Sequence, residues 1–234
     1  MPLRAAAILA AFYNCRDECM QEREAMIEKT RVMLAMQNDM NSHVDADWLR
    51  RQREWYRAIW IECAELMEHY GSWKWWKHST PDFPQVVLEI IDIWHFGLSL
   101  RIDDSADYLR IATTIIDDWH NAPAPLPFLE EVERLAFAAV GERRFAVGSV
   151  RNLMSACERD FDDLYRSYVA KNVLNMFRQD HGYRRGDYIK IWHGREDNEV
   201  LSDLINELDS SKPGFRDAVY QALSERYAEV AGAL

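Results

Sequence analysis

The sequence lacks several features that would place it in common classes of protein. Its four cysteines include no CxxC pair, so we expect reduced thiols and no disulfide framework. No apolar run reaches the roughly 20 residues that a membrane-spanning helix needs. Basic residues are in deficit, with 28 against 39 acidic ones, and the net charge of −11 argues against non-specific nucleic-acid binding. These absences predict a cytoplasmic protein that binds neither nucleic acid nor membrane.

Strand-like alternation is also missing, whereas apolar residues recur at helical spacing in several long segments. We therefore predict an all-α fold, a helical bundle core with a smaller helical lobe. The predicted helices cover residues 23–40, 45–69, 99–119, 128–146 and 152–178. The proline-rich stretch 121–127 is predicted to be a connection, because proline interrupts helices.

The chain is predicted to form a single domain over residues 1–234, because its hydrophobic content of 48% can fill one sizeable core. The core part is expected at 23–120 and the lobe at 121–201. The apolar run Ala5–Tyr13 is not predicted to be a signal peptide, since it is short and a charged segment without a clear cleavage site follows it.

Two short acidic pairs, Glu62 with Glu65 and Glu89 with Asp92, lie inside apolar segments. Residues three apart share one face of a helix, so each pair points two carboxylates at one spot. Unit charges about 4 Å apart repel by about 1 to 4 kcal/mol near a protein surface, so four carboxylates in one place need a cation. Oxygen ligands favour Mg²⁺, Mn²⁺ or Ca²⁺ over Zn²⁺. The alternative, glutamates on a solvent-facing helix, fits poorly with the apolar residues around them.

Two amides and three aromatic residues are candidates for contact with a planar ligand. Gln37 and Asn41 are four residues apart and stack on one helix face, where they can read one polar edge; two unrelated amides at a helix end are the alternative. Trp73 and Trp75 lie in a predicted turn between the acidic pairs, either as core filler or as a lid. Phe96 follows the second acidic pair by one helical turn and is expected beside the metal.

A stripe of cationic and amide side chains lies in the last third of the chain. Lys171, Asn175 and Arg178 line one face of a predicted helix that ends at Gly182. The loop that follows adds three candidates: Tyr183, Lys190 and Asn198. In an acidic protein this stripe suits a polyphosphate better than a nucleic-acid duplex, although an ordinary surface charge run is the alternative. The glycines and charges predict a loop that has little to pack against until phosphate and metal bind.

Three motifs in this order resemble those of the dimeric, all-α dUTPases in the all-α NTP pyrophosphatase superfamily. They are the ExxE pair, the segment Trp73-Lys-Trp-Trp-Lys77, and Glu89-x-x-Asp92 followed by His95-Phe96. The resemblance covers most of residues 33–201. It implies Mg²⁺-dependent hydrolysis of dUTP to dUMP and pyrophosphate, with Mn²⁺ as a substitute cation, and it implies that dUDP can be hydrolysed too.

The resemblance also assigns roles to the candidate residues. The four acids Glu62, Glu65, Glu89 and Asp92 would hold the metal, and one of the two ExxE carboxylates would orient or deprotonate the attacking water. The two amides would recognise uracil, and the segment that begins at Lys171 would close over the triphosphate. A homodimer is implied, in which a neighbouring subunit can contribute to the pocket.

Two alternatives stay open. One is a related pyrophosphatase that acts on dCTP or a modified deoxynucleotide, since Met40-Asn41 departs from the Leu-Asn pair usual in the family. The other is a helical binding or regulatory protein without turnover. All four candidate metal ligands are acidic, which argues against the second alternative.

Overall fold

The computed structural model describes residues 2–209, 212 and 214–232, without the side chains of residues 2–18 and 231. Over these residues the helices are α1 Pro2–Val44, α2 Trp55–Tyr70, α3 Phe83–Arg101, α4 Tyr108–His120, α5 Phe128–Glu142, α6 Val147–Ala156, α7 Phe161–Asp180, α8 Asp197–Glu207 and α9 Phe215–Ala231. A 3₁₀ turn lies at Tyr183–Arg185. Strands β1 Ile191–Trp192 and β2 Arg195–Glu196 form a short antiparallel hairpin. The predicted all-α fold is confirmed.

Several helix boundaries differ from those predicted, because turns and aspartate caps divide the periodic segments. The helix expected from residue 45 begins only at Trp55, after turns in which Gln52 has a φ of 44°. The segment 99–119 is interrupted between α3 and α4, where Asp107 accepts a hydrogen bond from the backbone of Arg110 at 3.0 Å. The segment 152–178 is likewise divided before α7, which begins with a capping box at Asp160. Such caps stabilise a new helix start.

The turn between α2 and α3 brings the two acidic pairs onto neighbouring helices. Gly71 ends α2 in the left-handed region, with a φ of 70°, and a Cβ at this position would lie only 2.5 Å from Ser79 Oγ. Asp82 begins α3 by accepting a hydrogen bond from the backbone of Gln85. A helix ending at glycine and a helix starting at aspartate are both favoured locally. The chain therefore reverses, and α2 packs along α3.

Helix α3 is the central element of the core and contacts α1, α2, α6 and α7. Its Trp94 is fully buried and makes edge-to-face contacts with Trp119, Phe145 and Phe161. Aromatic pairs of this geometry add to the stability gained by burying apolar area. One side of α3 is thus fixed in the core, and its opposite side carries Glu89 and Asp92.

The structure describes the side chains of three of the four cysteines. Cys19, Cys63 and Cys157 are free, whereas the side chain of Cys15 lies outside the described residues, as do those of the apolar run Ala5–Tyr13. Burial raises the pKa of Cys63 to about 12 and that of Cys157 to about 11, so both are poor nucleophiles. None of the described helices combines the length and the apolar character needed to cross a bilayer.

Candidate active site

Three of the four predicted metal ligands converge between α2 and α3. One carboxylate oxygen from each of Glu62, Glu89 and Asp92 lies within 4.8 Å of the others. Glu65 is exposed and lies outside this group, although it lines the same open cavity of about 480 Å³. The structure therefore assembles a compact acidic group of three and places the fourth carboxylate at its edge.

The acidic group holds protons more tightly than ordinary carboxylates do. Burial, followed by the charge of Asp92, raises the pKa of Glu62 to about 9. Burial and Asp92 also raise the pKa of Glu89, to which Glu62 is hydrogen-bonded. Near neutral pH a metal-free site therefore keeps a proton on Glu62, and a cation that binds there must displace it.

This raised pKa predicts how the stability of the metal-free protein depends on pH. An unfolded glutamate releases its proton near pH 4.5, whereas Glu62 in the folded protein keeps it up to about pH 9. The folded state thus binds more protons across this window, and its stability falls as pH rises. We expect the melting temperature of EDTA-treated protein to fall across the window, and to fall less in Glu62→Gln. Equal pH slopes for the two proteins would contradict the prediction.

Each predicted phosphate-binding cation is paired with a carboxylate. Lys171 is buried, with Nζ 2.8 Å from Asp92 Oδ2 and 2.9 Å from Asn198 Oδ1. Arg178 forms two hydrogen bonds of 2.8 Å to Asp197. The more exposed Lys190 lies 2.9 Å from Glu196. These pairs leave little uncompensated positive charge facing the cavity.

The structure brings all six predicted phosphate-binding residues to one place. Asn175 accepts a hydrogen bond of 3.1 Å from Arg178 Nη1, and Asn198 accepts one of 3.1 Å from Nη2. The guanidinium carbon of Arg178 lies 5.7 Å from the centre of the Tyr183 ring. Lys171, Lys190, Tyr183 and Asn198 line the cavity that contains the acidic group. The spacing in the sequence thus identified neighbours in space.

The loop after α7 is better packed than its glycines and charges predicted. Trp192 is 2% exposed and contacts Phe177 and Tyr227, while Tyr188 stacks on Tyr227 at 5.3 Å. The Tyr227 hydroxyl accepts a hydrogen bond from the backbone of Ile189 at 3.2 Å. The expectation that this loop has little to pack against is therefore wrong, because α9, to which the sequence assigned no role, supplies an aromatic support.

The two candidate amides are buried and form one hydrogen-bonded group. Gln37 Nε2 donates to Asn41 Oδ1 at 3.1 Å, and Asn41 Nδ2 donates to Ser99 Oγ at 3.0 Å. The Tyr168 hydroxyl lies 2.9 Å from Gln37 Oε1 and can donate to it. His95 stacks on Tyr168 at 4.2 Å, and burial lowers the pKa of this imidazole to about 4, so it is neutral near pH 7. The amides are thus held in fixed orientations.

A second cavity, of about 930 Å³, opens beside the amide pair. Asn41, Trp48 and Trp55 line it, and Phe96 stacks on Trp55 at a centroid distance of 6.1 Å. Tyr183 lines both this cavity and the one that contains the acidic group. The sequence analysis did not identify Trp48 or Trp55 as candidates, because neither belongs to a motif with the predicted site residues. The structure adds them to the candidate aromatic contacts.

Trp73 and Trp75 are not brought to the amide pair. Trp73 Nε1 donates to the backbone oxygen of Met67 at 3.1 Å, and Trp75 is 89% exposed. The described lining of the two cavities includes neither tryptophan. Their predicted contact with a base stays a prediction, and an exposed Trp75 could make it only with a group outside these two cavities.

A comparison of the sequence with protein-family models identifies the enzyme family to which the chain belongs. The model described as dUTPase matches residues 29–183. The chain belongs to the all-α dimeric dUTPase family. Membership carries dUTP diphosphatase activity, as the sequence predicted. No curated protein matches the chain. The matched segment includes the acidic pairs, the amide pair, Lys171, Arg178 and Tyr183, whereas Lys190 and Asn198 lie beyond it.

Proposed function

We propose that this dUTPase converts dUTP to dUMP and pyrophosphate with Mg²⁺, and dUDP to dUMP and phosphate. The observation that carries the proposal is the meeting of the acidic group with Lys171 and Arg178 in one cavity, which shares Tyr183 with the cavity beside Asn41. A nucleotide that spans the two cavities would place its base near the amides and its phosphates near the carboxylates. This arrangement suits hydrolysis within the phosphate chain.

The donor set supports Mg²⁺, with Mn²⁺ as a substitute. dUTPases generally use a divalent metal, and the three converging groups here are all carboxylates, the ligands that hard cations prefer. Glu62, Glu89 and Asp92 would hold the ion, and Glu65 would join them from the edge of the cavity. A bound divalent cation offsets phosphate charge and lowers the pKa of a nearby water molecule.

Water activation is assigned to the ExxE pair. Glu65 lines the cavity but lies outside the group whose oxygens approach within 4.8 Å. Its carboxylate can therefore orient the attacking water and accept its proton, while Glu62 stays with the converging group. Glu62 and Glu65 thus keep the catalytic role that the resemblance implied, with separate tasks.

Binding of the phosphate chain is assigned to Arg178 and the polar side chains around it. Lys171 lies between Asp92 and Asn198, so it can bridge the acidic group and a phosphate oxygen. Lys190 and Tyr183 lie on the loop side of the cavity, and Asn175 supports Arg178. Charge-assisted hydrogen bonds of this kind are short and directional, which suits phosphate recognition.

Uracil is assigned to the amide pair. Gln37 and Asn41 are buried in a fixed orientation, and Phe96, Trp48 and Trp55 form an aromatic group next to them. A flat base can stack on such rings while the amides read its polar edge. The described lining of the cavity beside these amides includes neither Trp73 nor Trp75, and their contact with a base stays a prediction.

We also propose a homodimer formed through α2 and α5. These helices pack together, and on them four apolar side chains are exposed: Trp60 by 39%, Ile61 by 41%, Phe137 by 65% and Val140 by 55%. Exposed apolar patches mark interaction surfaces, and the family is dimeric. Ile61 and Trp60 directly precede Glu62, so a partner on this face would lie near the active site.

The whole chain, residues 1–234, is proposed to act as a single dUTPase-like domain. Helix α7 of the predicted lobe packs against α1 and α3 of the predicted core, and α9 packs against α7. The active site therefore takes its residues from both parts of the chain.

Base selectivity tests the proposed function. With Mg²⁺ and a panel of deoxynucleoside triphosphates, we expect kcat/KM for dUTP to exceed that for dCTP and dTTP by about tenfold or more, because each unpaired buried polar group costs about 1 to 3 kcal/mol. The products should be dUMP and pyrophosphate. Gln37→Leu should lower the preference for dUTP, whereas Gln221→Leu, on α9, should not. Equal rates on dCTP would move the assignment to a related deoxynucleotide pyrophosphatase.

A further inference from the structure

Asp197, the first residue of α8, is a carboxylate with no exposed surface. Its Oδ2 accepts a hydrogen bond from Arg178 Nε and another from the Tyr188 hydroxyl, and its Oδ1 accepts one from Arg178 Nη2, all at 2.8 Å. A buried carboxylate is costly unless it is paired and hydrogen-bonded. These contacts meet that requirement. Asp197 is buried, so it cannot itself contact a nucleotide in the cavity.

The contacts of Arg178 leave the guanidinium little freedom. It has five N–H donors. Two of them bind Asp197, one binds Asn198 and one binds Asn175. One N–H on Nη1 has no acceptor among the described residues and is available to a phosphate oxygen. A planar group held by two parallel hydrogen bonds also has a fixed orientation.

The fixed orientation of Arg178 matters because several carboxylates line the same cavity. Arg178 and Asp92 line the same cavity, which also contains Glu62 and Glu89. A guanidinium that could rotate freely would pair with one of those carboxylates and occupy the space that a divalent cation needs. The contacts of Arg178 run instead to Asp197, Asn175 and Asn198, on α7 and α8.

We infer that Asp197 is a positioning residue for catalysis: it holds Arg178 toward the phosphate chain and away from the acidic group. Tyr188 fixes the carboxylate from its other side. The inference rests on the proposed phosphate-binding role of Arg178. It adds Tyr188 and Asp197 to the residues of the site that follow the matched segment 29–183.

A double-mutant cycle tests the inference. We would measure kcat/KM for dUTP with Mg²⁺ in Arg178→Ala, Asp197→Asn and the double variant. Asp203→Asn is the matched control, because Asp203 lies on the same helix as Asp197 and pairs with Arg195 of β2, but both of these side chains are about half exposed. We expect each single variant to lose about ten- to a hundredfold, the double variant to lose no more than Arg178→Ala, and the control to be unchanged. The ratio of dUTP to dCTP rates should stay constant in Asp197→Asn.

Two outcomes would overturn the inference alone: Arg178→Ala loses activity while a folded Asp197→Asn keeps it, or the two losses multiply in the double variant. Full activity of Arg178→Ala would overturn the phosphate role of Arg178 as well. Tyr188→Phe is the second test if Asp197→Asn fails to fold, since it removes one hydrogen bond without leaving a charge unpaired. It should lose about two- to tenfold in kcat/KM, and wild-type efficiency would contradict the inference.

Discussion

Removal of divalent cations is expected to abolish dUTP hydrolysis, to below about one thousandth of the normal rate. Lys171, Arg178 and Lys190 are each paired with a carboxylate, so the cavity has little free positive charge with which to hold a triphosphate. EDTA-treated protein should regain activity with Mg²⁺ or Mn²⁺. Pyrophosphate release from dUTP is the measurement.

The control for this experiment tests whether the protein stays folded without divalent cations. The far-ultraviolet circular dichroism of EDTA-treated protein should match that of untreated protein, because the helices are held by an apolar core that is separate from the acidic group. Turnover that persists in excess chelator would contradict the metal site formed by α2 and α3.

Glu89→Gln is expected to lower kcat/KM for dUTP by about a thousandfold or more, because the loss of several kcal/mol of charge stabilisation corresponds to that factor. Glu89 is only 5% exposed and belongs to the acidic group. Without metal, its charge opposes the ionisation of its neighbours, so the glutamine variant should melt at the same temperature as the wild type or higher.

Two further variants test whether the effects of Glu89→Gln are specific to a buried carboxylate. Glu65→Gln should also lose turnover, but its metal-free melting temperature should change less, since Glu65 is exposed and lies outside the converging group. Glu24→Gln, at an exposed glutamate on α1, is the matched control for charge removal and should change neither property. A large drop in the melting temperature of Glu89→Gln would favour a structural role for this residue.

The acidic pairs and the cationic stripe could be predicted because both depend on the geometry of a single helix. Residues three or four apart share a face, so Glu89 could be grouped with Asp92, and Asn175 with both Lys171 and Arg178, before any fold was known. The family resemblance then put the groups into one site. The separation of Glu65 from the other acids could not be predicted, since it depends on how α2 rotates against α3.

The partners of the phosphate-binding residues could not be predicted either. No pattern in the sequence distinguishes Asp197 from the other acidic residues of the chain, and its burial follows from the packing of α8 against α7. The support of the loop by Tyr227 likewise depends on a contact between segments far apart in sequence. Trp48 and Trp55 became candidates only when a turn in the backbone brought them beside Asn41.

Every basic side chain in the described lining of the active-site cavity lies next to a carboxylate. This pairing reduces the competition between the substrate and the other anions of a cell. Free phosphate, sulfate and acidic polymers are abundant anions, and a site with bare lysines and arginines would collect them. Here such anions meet groups that are already neutralised, in a protein with a net charge of −11. A nucleotide that arrives with its own divalent cation brings the missing charge with it. If dUTP hydrolysis proceeds with Mg²⁺ as proposed, we expect the site to select for the ion complex of its substrate before it selects for the base.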